Sequence, residues 1–235
     1  MHANTTTSNT FRTPRRRAPH QSYGRTPYDA LRPWSAITHG IGAALAIIGT
    51  IALLLRANPL RLGVCAIYGL SMIGLYTAST LYHCLNVPSA GRIALRKYDH
   101  CAIYLLIAGS YTPICTIALA SRGGTLLLGV VWTVGLLGIV LTLVKLTIPR
   151  WLCSLLYLLM GWVALFAIVP LYQSLSAAGF FWLLAGGVLY TAGGILYALR
   201  WPGRNNPRFG CHEVFHLLIL LGSAAHYVLI CQLVR

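Results

Sequence analysis

The chain has 235 residues, of which 57% are hydrophobic and only 9% charged, with a mean hydropathy of +0.70. A soluble domain carries roughly a quarter charged residues, so composition excludes a soluble globular protein and implies an all-α, polytopic membrane protein. The net charge of +15 sits in a tail and short loops, where it reads as a topology signal. Specific nucleic-acid binding is not expected.

Residues 1–33 form a basic, polar tail containing Arg15, Arg16 and Arg17. It has too little apolar surface to fold by itself and is expected to be disordered. Contact between this tail and anionic lipid headgroups fits its charge. No stretch reads as a cleavable signal peptide: the first apolar run starts late and is long enough to span.

Residues 34–235 read as a seven-helix transmembrane domain, since each span needs about 20 apolar residues. In chain order the spans run Trp34–Leu55, Leu62–His83, His100–Ala120, Thr125–Val144, Trp151–Tyr172, Phe181–Leu199 and His212–Leu233. Pro113 predicts a kink in the third. The breakers Asn58-Pro59, Pro88, Gly123-Gly124, Pro149, Gly179 and Asn205-Asn206-Pro207 mark the loops. Gly40, Gly42, Gly186, Gly187, Gly193 and Gly194 predict close helix approach. Trp34, Trp151, Trp182 and Trp201 lie near span ends and read as interface anchors. The seven cysteines are odd in number and mostly inside apolar segments, which argues for free thiols.

Basic residues set the direction. With the N-terminus in the cytoplasm, only Arg56, Arg61, Arg122 and Arg235 fall outside. The bias therefore predicts N-terminus inside, C-terminus outside, in a cell membrane. That direction brings three polar motifs to the cytoplasmic ends of separate spans. They are Ser79 to His83, Tyr98-Asp99-His100, and His212 to His216.

Ionisable groups near hydrocarbon are costly and tend to be functional. The chain has only three acids, Asp29, Asp99 and Glu213. His212 and His216 are four apart and share one helix face, a spacing that suits two imidazoles on one metal. His83 can supply a third ligand, which predicts a three-histidine zinc site with one open position. Asp99 can accept a proton from water there, or orient it. Ser79 lies one turn deeper than His83 on the same face and can donate a hydrogen bond. Cys84, Cys101 and Cys211 lie near this cluster, but the histidines suffice by ligand count.

His212-Glu213-Val214-Phe215-His216 also matches H-E-x-x-H, in which the Glu is the general base of a metalloprotease. The other reading of Glu213 is a charge stabilising the first turn of a helix. His39 is open between an outer layer of the site and helix bridging. His100 reads as packing or support behind the ligands. His226 lies about 15 Å deeper than His216 by helix rise and reads as an interhelical bond.

Seven spans, Ser79-x-x-x-His83, Asp99 and His212-x-x-x-His216 together resemble the hemolysin III family. This is the bacterial branch of the progestin and adipoQ receptor superfamily, which includes the adiponectin receptors. Thr38-His39-Gly40-Ile41-Gly42 and Gly222-Ser223-Ala224-Ala225-His226-Tyr227 resemble the branch's first- and last-helix signatures. The resemblance implies zinc at His83, His212 and His216, with Asp99 near its water and Ser79 beside the site. It also implies ceramidase-like hydrolysis of lipid amides, with a role in membrane lipid homeostasis. The branch's haemolytic, pore-forming activity implies cytolysis as the rival, with zinc structural in a pore, channel or sensor. Against an ion path, the fourth to sixth spans carry almost no polar residues, whereas an aqueous pore needs them.

The predicted direction is checked by fusions. Alkaline phosphatase fused after Arg235 is expected to be active, and a fluorescent protein fused before Met1 to fluoresce. The opposite pattern would reverse the topology.

Overall fold

The computed structural model describes residues 31–144, 150–203 and 209–234. The tail 1–30, Lys145, Pro149, Arg204, Asn205, Asn206, Pro207, Arg208 and Arg235, on which parts of the topology and loop readings rest, lie outside them. Among the described residues the fold is all-helical, without strands, and seven segments are long and apolar enough to cross a membrane.

The first span, α1 (Pro33–Arg56), starts on a proline, whose missing N–H costs nothing at a helix start. After it, the Asn58 side chain accepts the Arg61 N–H (3.1 Å) and shapes the short turn before α2 (Leu62–Cys84). The loop that follows is shorter than expected. Helix α3 begins at Ser89, directly after Pro88, rather than at His100. Hydropathy finds where a helix meets hydrocarbon, whereas the helix itself runs back to Pro88, whose ring disfavours helical backbone at the residue before it. Arg92, Arg96 and Lys97 are therefore helical. Lys97 Nζ donates to the Leu143 carbonyl (2.7 Å), a cation placed on carbonyls at the end of α4 (Gly124–Val144).

Pro113 closes the regular part of α3, and the chain continues as a π-helical turn over Ile114–Ala118. This is the distortion expected where a proline interrupts the hydrogen-bond ladder.

The fifth span carries a break that periodicity did not indicate. It comprises α5 (Arg150–Trp162), a 3₁₀ segment (Val163–Ala167) and α6 (Ile168–Ser174). Two causes are visible. Tyr111 of α3 inserts its hydroxyl into the ladder, donating to the Gly161 carbonyl (2.6 Å) and accepting from Ala164 N–H (2.8 Å). Pro170 offers no N–H to the carbonyl four residues earlier.

Helix α7 (Ala177–Leu199) starts earlier than expected because Ser176 caps it, accepting the Gly179 N–H (3.0 Å). Gly179 is thus a buried first-turn residue and not a loop breaker. Helix α8 (Cys211–Val234) completes the domain.

Helix α1 packs on α2 and α8, α2 on α3, α3 on α4, and α7 on α8. The α3 span is the most deeply buried of the seven. It contributes to two apolar clusters, one with α1, α2 and α8 and another with α4 and α5. By contrast α4 exposes Leu126, Leu136, Leu137, Leu143 and Val144, an apolar face suited to lipid. All seven cysteines are free thiols.

Small residues set how close α7 and α8 come. A Cβ on Gly186 would run into the imidazole of His226, whereas one on Gly187 would meet nothing. Overpacking of this kind costs about 1–3 kcal/mol. Gly186→Ala should therefore lower the melting temperature in detergent, and Gly187→Ala should leave it near wild type.

Candidate metal centre

Three imidazoles converge at one end of the bundle. His83 closes the last turn of α2, while His212 and His216 lie on successive turns at the start of α8. Their candidate ligand atoms all lie within 4.8 Å of one another. The Nε2 atoms of His83 and His212 are 3.1 Å apart. The rings meet edge to face, with centroids 4.8 Å apart for His83–His212 and 5.1 Å for His83–His216. His83 and His216 are each only 2% exposed.

This cluster can hold a metal ion. Buried imidazole nitrogens need partners, yet the Nδ1 of His216 has no hydrogen bond. An all-imidazole donor set suits zinc, copper, iron or nickel. Among the described residues the group contains no cysteine or carboxylate, so Cys84, Cys101 and Cys211 stand outside it.

Ser79 lies one turn before His83 on α2, and its side chain interacts with the carboxylate of Asp99 on α3. Because α3 begins at Ser89 and not at His100, Asp99 sits about three turns into a helix and not just ahead of its start. The fold thus joins the three histidines in one group, and Ser79 with Asp99 in a second. Their shared element is α2, where four residues separate Ser79 from His83 on one face.

The remaining histidines have other tasks. His39 of α1 stacks on His216, centroids 3.7 Å apart and planes inclined by 18°. Its other neighbour is Tyr76, edge-on at 5.1 Å. Tyr76 donates to Ser223 Oγ (2.6 Å), which also bonds the Tyr190 hydroxyl (2.9 Å). These hydroxyls fasten α2, α7 and α8 together beyond His39. His226 Nε2 pairs with the Leu183 carbonyl (3.3 Å), joining α8 to α7. The backbone carbonyl of His100 accepts from Tyr157 (3.3 Å).

Glu213 is 1% exposed and its carboxylate is fully engaged. Arg32 Nη1 donates to Oε1 (2.7 Å), Ser35 Oγ donates to the same oxygen (3.2 Å), and Gly210 N–H donates to Oε2 (2.8 Å). In the sequence Arg32 counts only toward the charge bias, and no motif marks Ser35. The signal was present nonetheless. A buried acid requires a cation, and Arg32 is the basic residue adjoining the start of α1 at the same end of the bundle.

The molecule is therefore a seven-span membrane protein with a histidine cluster able to hold a metal at one end of its bundle. The chain belongs to the haemolysin III family: the family described as "Haemolysin-III related" matches residues 32–227. It is 39% identical over 194 residues to "Hemolysin-3" of Bacillus cereus, covering 81% of this chain and 85% of that protein. It is likewise 39% identical over 197 residues to the "Hemolysin-3 homolog" of Bacillus subtilis, covering 82% and 89%. A more distant match is the "Adiponectin receptor protein" of Drosophila melanogaster, 32% identical over 170 residues, 63% of this chain and 37% of that one. Family and spans together define a multi-pass membrane protein, consistent with the bacterial cell membrane.

Elemental analysis of detergent-purified protein is expected to find about one metal ion per chain. His83→Ala and His212→Ala should each lose it. Metal retained in both variants would remove the histidine cluster as the site.

Proposed function

We propose that this protein is a zinc-dependent hydrolase of lipid amides or esters, acting within the membrane. The observation that carries the reading is the convergence of His83, His212 and His216, with the Ser79–Asp99 pair held by the helix that also carries His83. The candidate ligand atoms all lie within 4.8 Å of one another, a small inward movement from the spacing of nitrogens that share a zinc at about 2.0–2.1 Å, and the 3.1 Å between His83 and His212 is also a hydrogen-bond distance. Zinc with three protein ligands supplies Lewis acidity and lowers the pKa of water toward about 7.

The chain's own residues then divide the work. His83, His212 and His216 would hold the ion. Asp99 takes the proton of the attacking water and returns it to the leaving amine or alcohol. Ser79 orients the Asp99 carboxylate. Engagement of the Glu213 carboxylate by Arg32, Ser35 and Gly210 supports assigning the proton to Asp99 rather than to an H-E-x-x-H glutamate.

The name of the Bacillus cereus relative favours a second reading, in which the metal is structural in a protein that lyses membranes. The two separate on turnover. With ceramide-like amides in mixed micelles, free fatty acid is the readout. Asp99→Asn is expected to lower hydrolysis by roughly 10²–10⁴-fold while metal stays bound. His226→Ala should stay near wild type. Zinc-loaded wild type that releases no fatty acid from amides or esters, yet leaks dye from vesicles, would favour the lytic reading.

A further inference from the structure

Arg32 touches both helices that carry the histidine cluster. Its backbone N–H donates to the carbonyl of His83 at the end of α2 (3.2 Å). Its guanidinium donates to Glu213, the residue between His212 and Val214 on α8. The pair is buried, with side chains 12% and 2% exposed. Ser35, one turn along, adds a second donor to Glu213. His39, one further turn along, lies flat on His216. The residue that leads into α1 and the first turns of that helix therefore meet the backbone of one candidate ligand, the neighbour of a second and the ring of the third.

We infer that the Arg32–Glu213 pair is a positioning device for the metal centre, setting the separation of the α2 and α8 ligands. The inference rests on the metal site of the preceding section and gives Glu213 a task in it. Three features point to alignment rather than to general stability. A buried ion pair contributes little net stability compared with apolar side chains of similar volume, so general stability alone does not account for this one. The pair spans 181 positions of sequence and fixes the first turn of α8, which presents His212 and His216. Arg32 also reads the position of His83 through its backbone, so the two ligand-bearing helix ends are referred to one residue. Groups that orient metal ligands typically affect metal affinity by about 10–100-fold when removed.

The test uses the full chain in detergent, stripped of metal and titrated with Zn²⁺ against a chromophoric chelator. Co²⁺ absorption gives a second readout of ligand geometry. Glu213→Gln and Arg32→Met should each weaken Zn²⁺ binding by about 10–100-fold and alter the Co²⁺ spectrum. The double variant should bind no more weakly than either single one, because partners in one interaction are not additive. The double variant also leaves no unpaired buried charge, and so keeps the test available if a single variant fails to fold. Zn²⁺ affinity within twofold of wild type in the folded double variant would overturn the inference, even with a lowered melting temperature. Unchanged affinity with lost hydrolysis in Glu213→Gln would overturn it too, making Glu213 a base. Wild type that takes up no Zn²⁺ would instead remove the metal site, and with it this role for the pair.

Discussion

Polar groups at the end of an apolar bundle have few places to go. The imidazoles of His39, His83, His212 and His216, the Glu213 carboxylate and the Arg32 guanidinium are drawn together at one end of the helices, in surroundings with little capacity to solvate them. Each must find a partner within the bundle, because the cost of an unpaired polar group rises as water is withdrawn. The structure distributes the partners unequally. Glu213 is fully satisfied by Arg32, Ser35 and Gly210, while His216 keeps a ring nitrogen without a hydrogen bond. Ring nitrogens of His39 and His226 are likewise without one, so what marks the candidate ligands is the convergence of His83, His212 and His216.

The rest of the fold serves this end of the molecule. Helix α3 runs through the middle and carries Asp99 to Ser79 on α2. Glycine at position 186 lets α7 reach the His226 ring on α8, and the Tyr76–Ser223–Tyr190 hydroxyls tie α2, α7 and α8 together past His39. With no hydrophobic drive between helices inside lipid, packing of small residues and such hydrogen bonds must hold the bundle. The distortions at Pro113 and around Gly161 fall on the α3 and α5 surfaces that face each other, where Tyr111 bridges them.

Family membership and metal capacity meet in the same residues. The match to the haemolysin III family spans residues 32–227, beginning at Arg32 and including His83, Asp99, His212 and His216. The adiponectin receptor of Drosophila is a more distant relative. A hydrolytic role for this chain is the proposal that gives the histidine cluster and the Ser79–Asp99 pair a common purpose.

Much of this was legible in the sequence. Long apolar runs determine spanning helices because backbone polar groups have no partner in lipid except each other. Alternation of span direction places His83 and His212 at the same end, and a four-residue spacing places His212 and His216 on one face. Hydropathy could not show that α3 begins at Ser89, since the helix outlasts its apolar stretch. Nor could it show the break in the fifth span, whose cause includes a tyrosine from another helix. Which side chain meets which across the bundle was decided by the tertiary structure alone. Arg32 and Glu213 are 181 positions apart, and His39 and His216 are also remote in sequence; no local pattern encodes such pairings. They follow from how closely the helices pack and from the need of each buried charge for an opposite one.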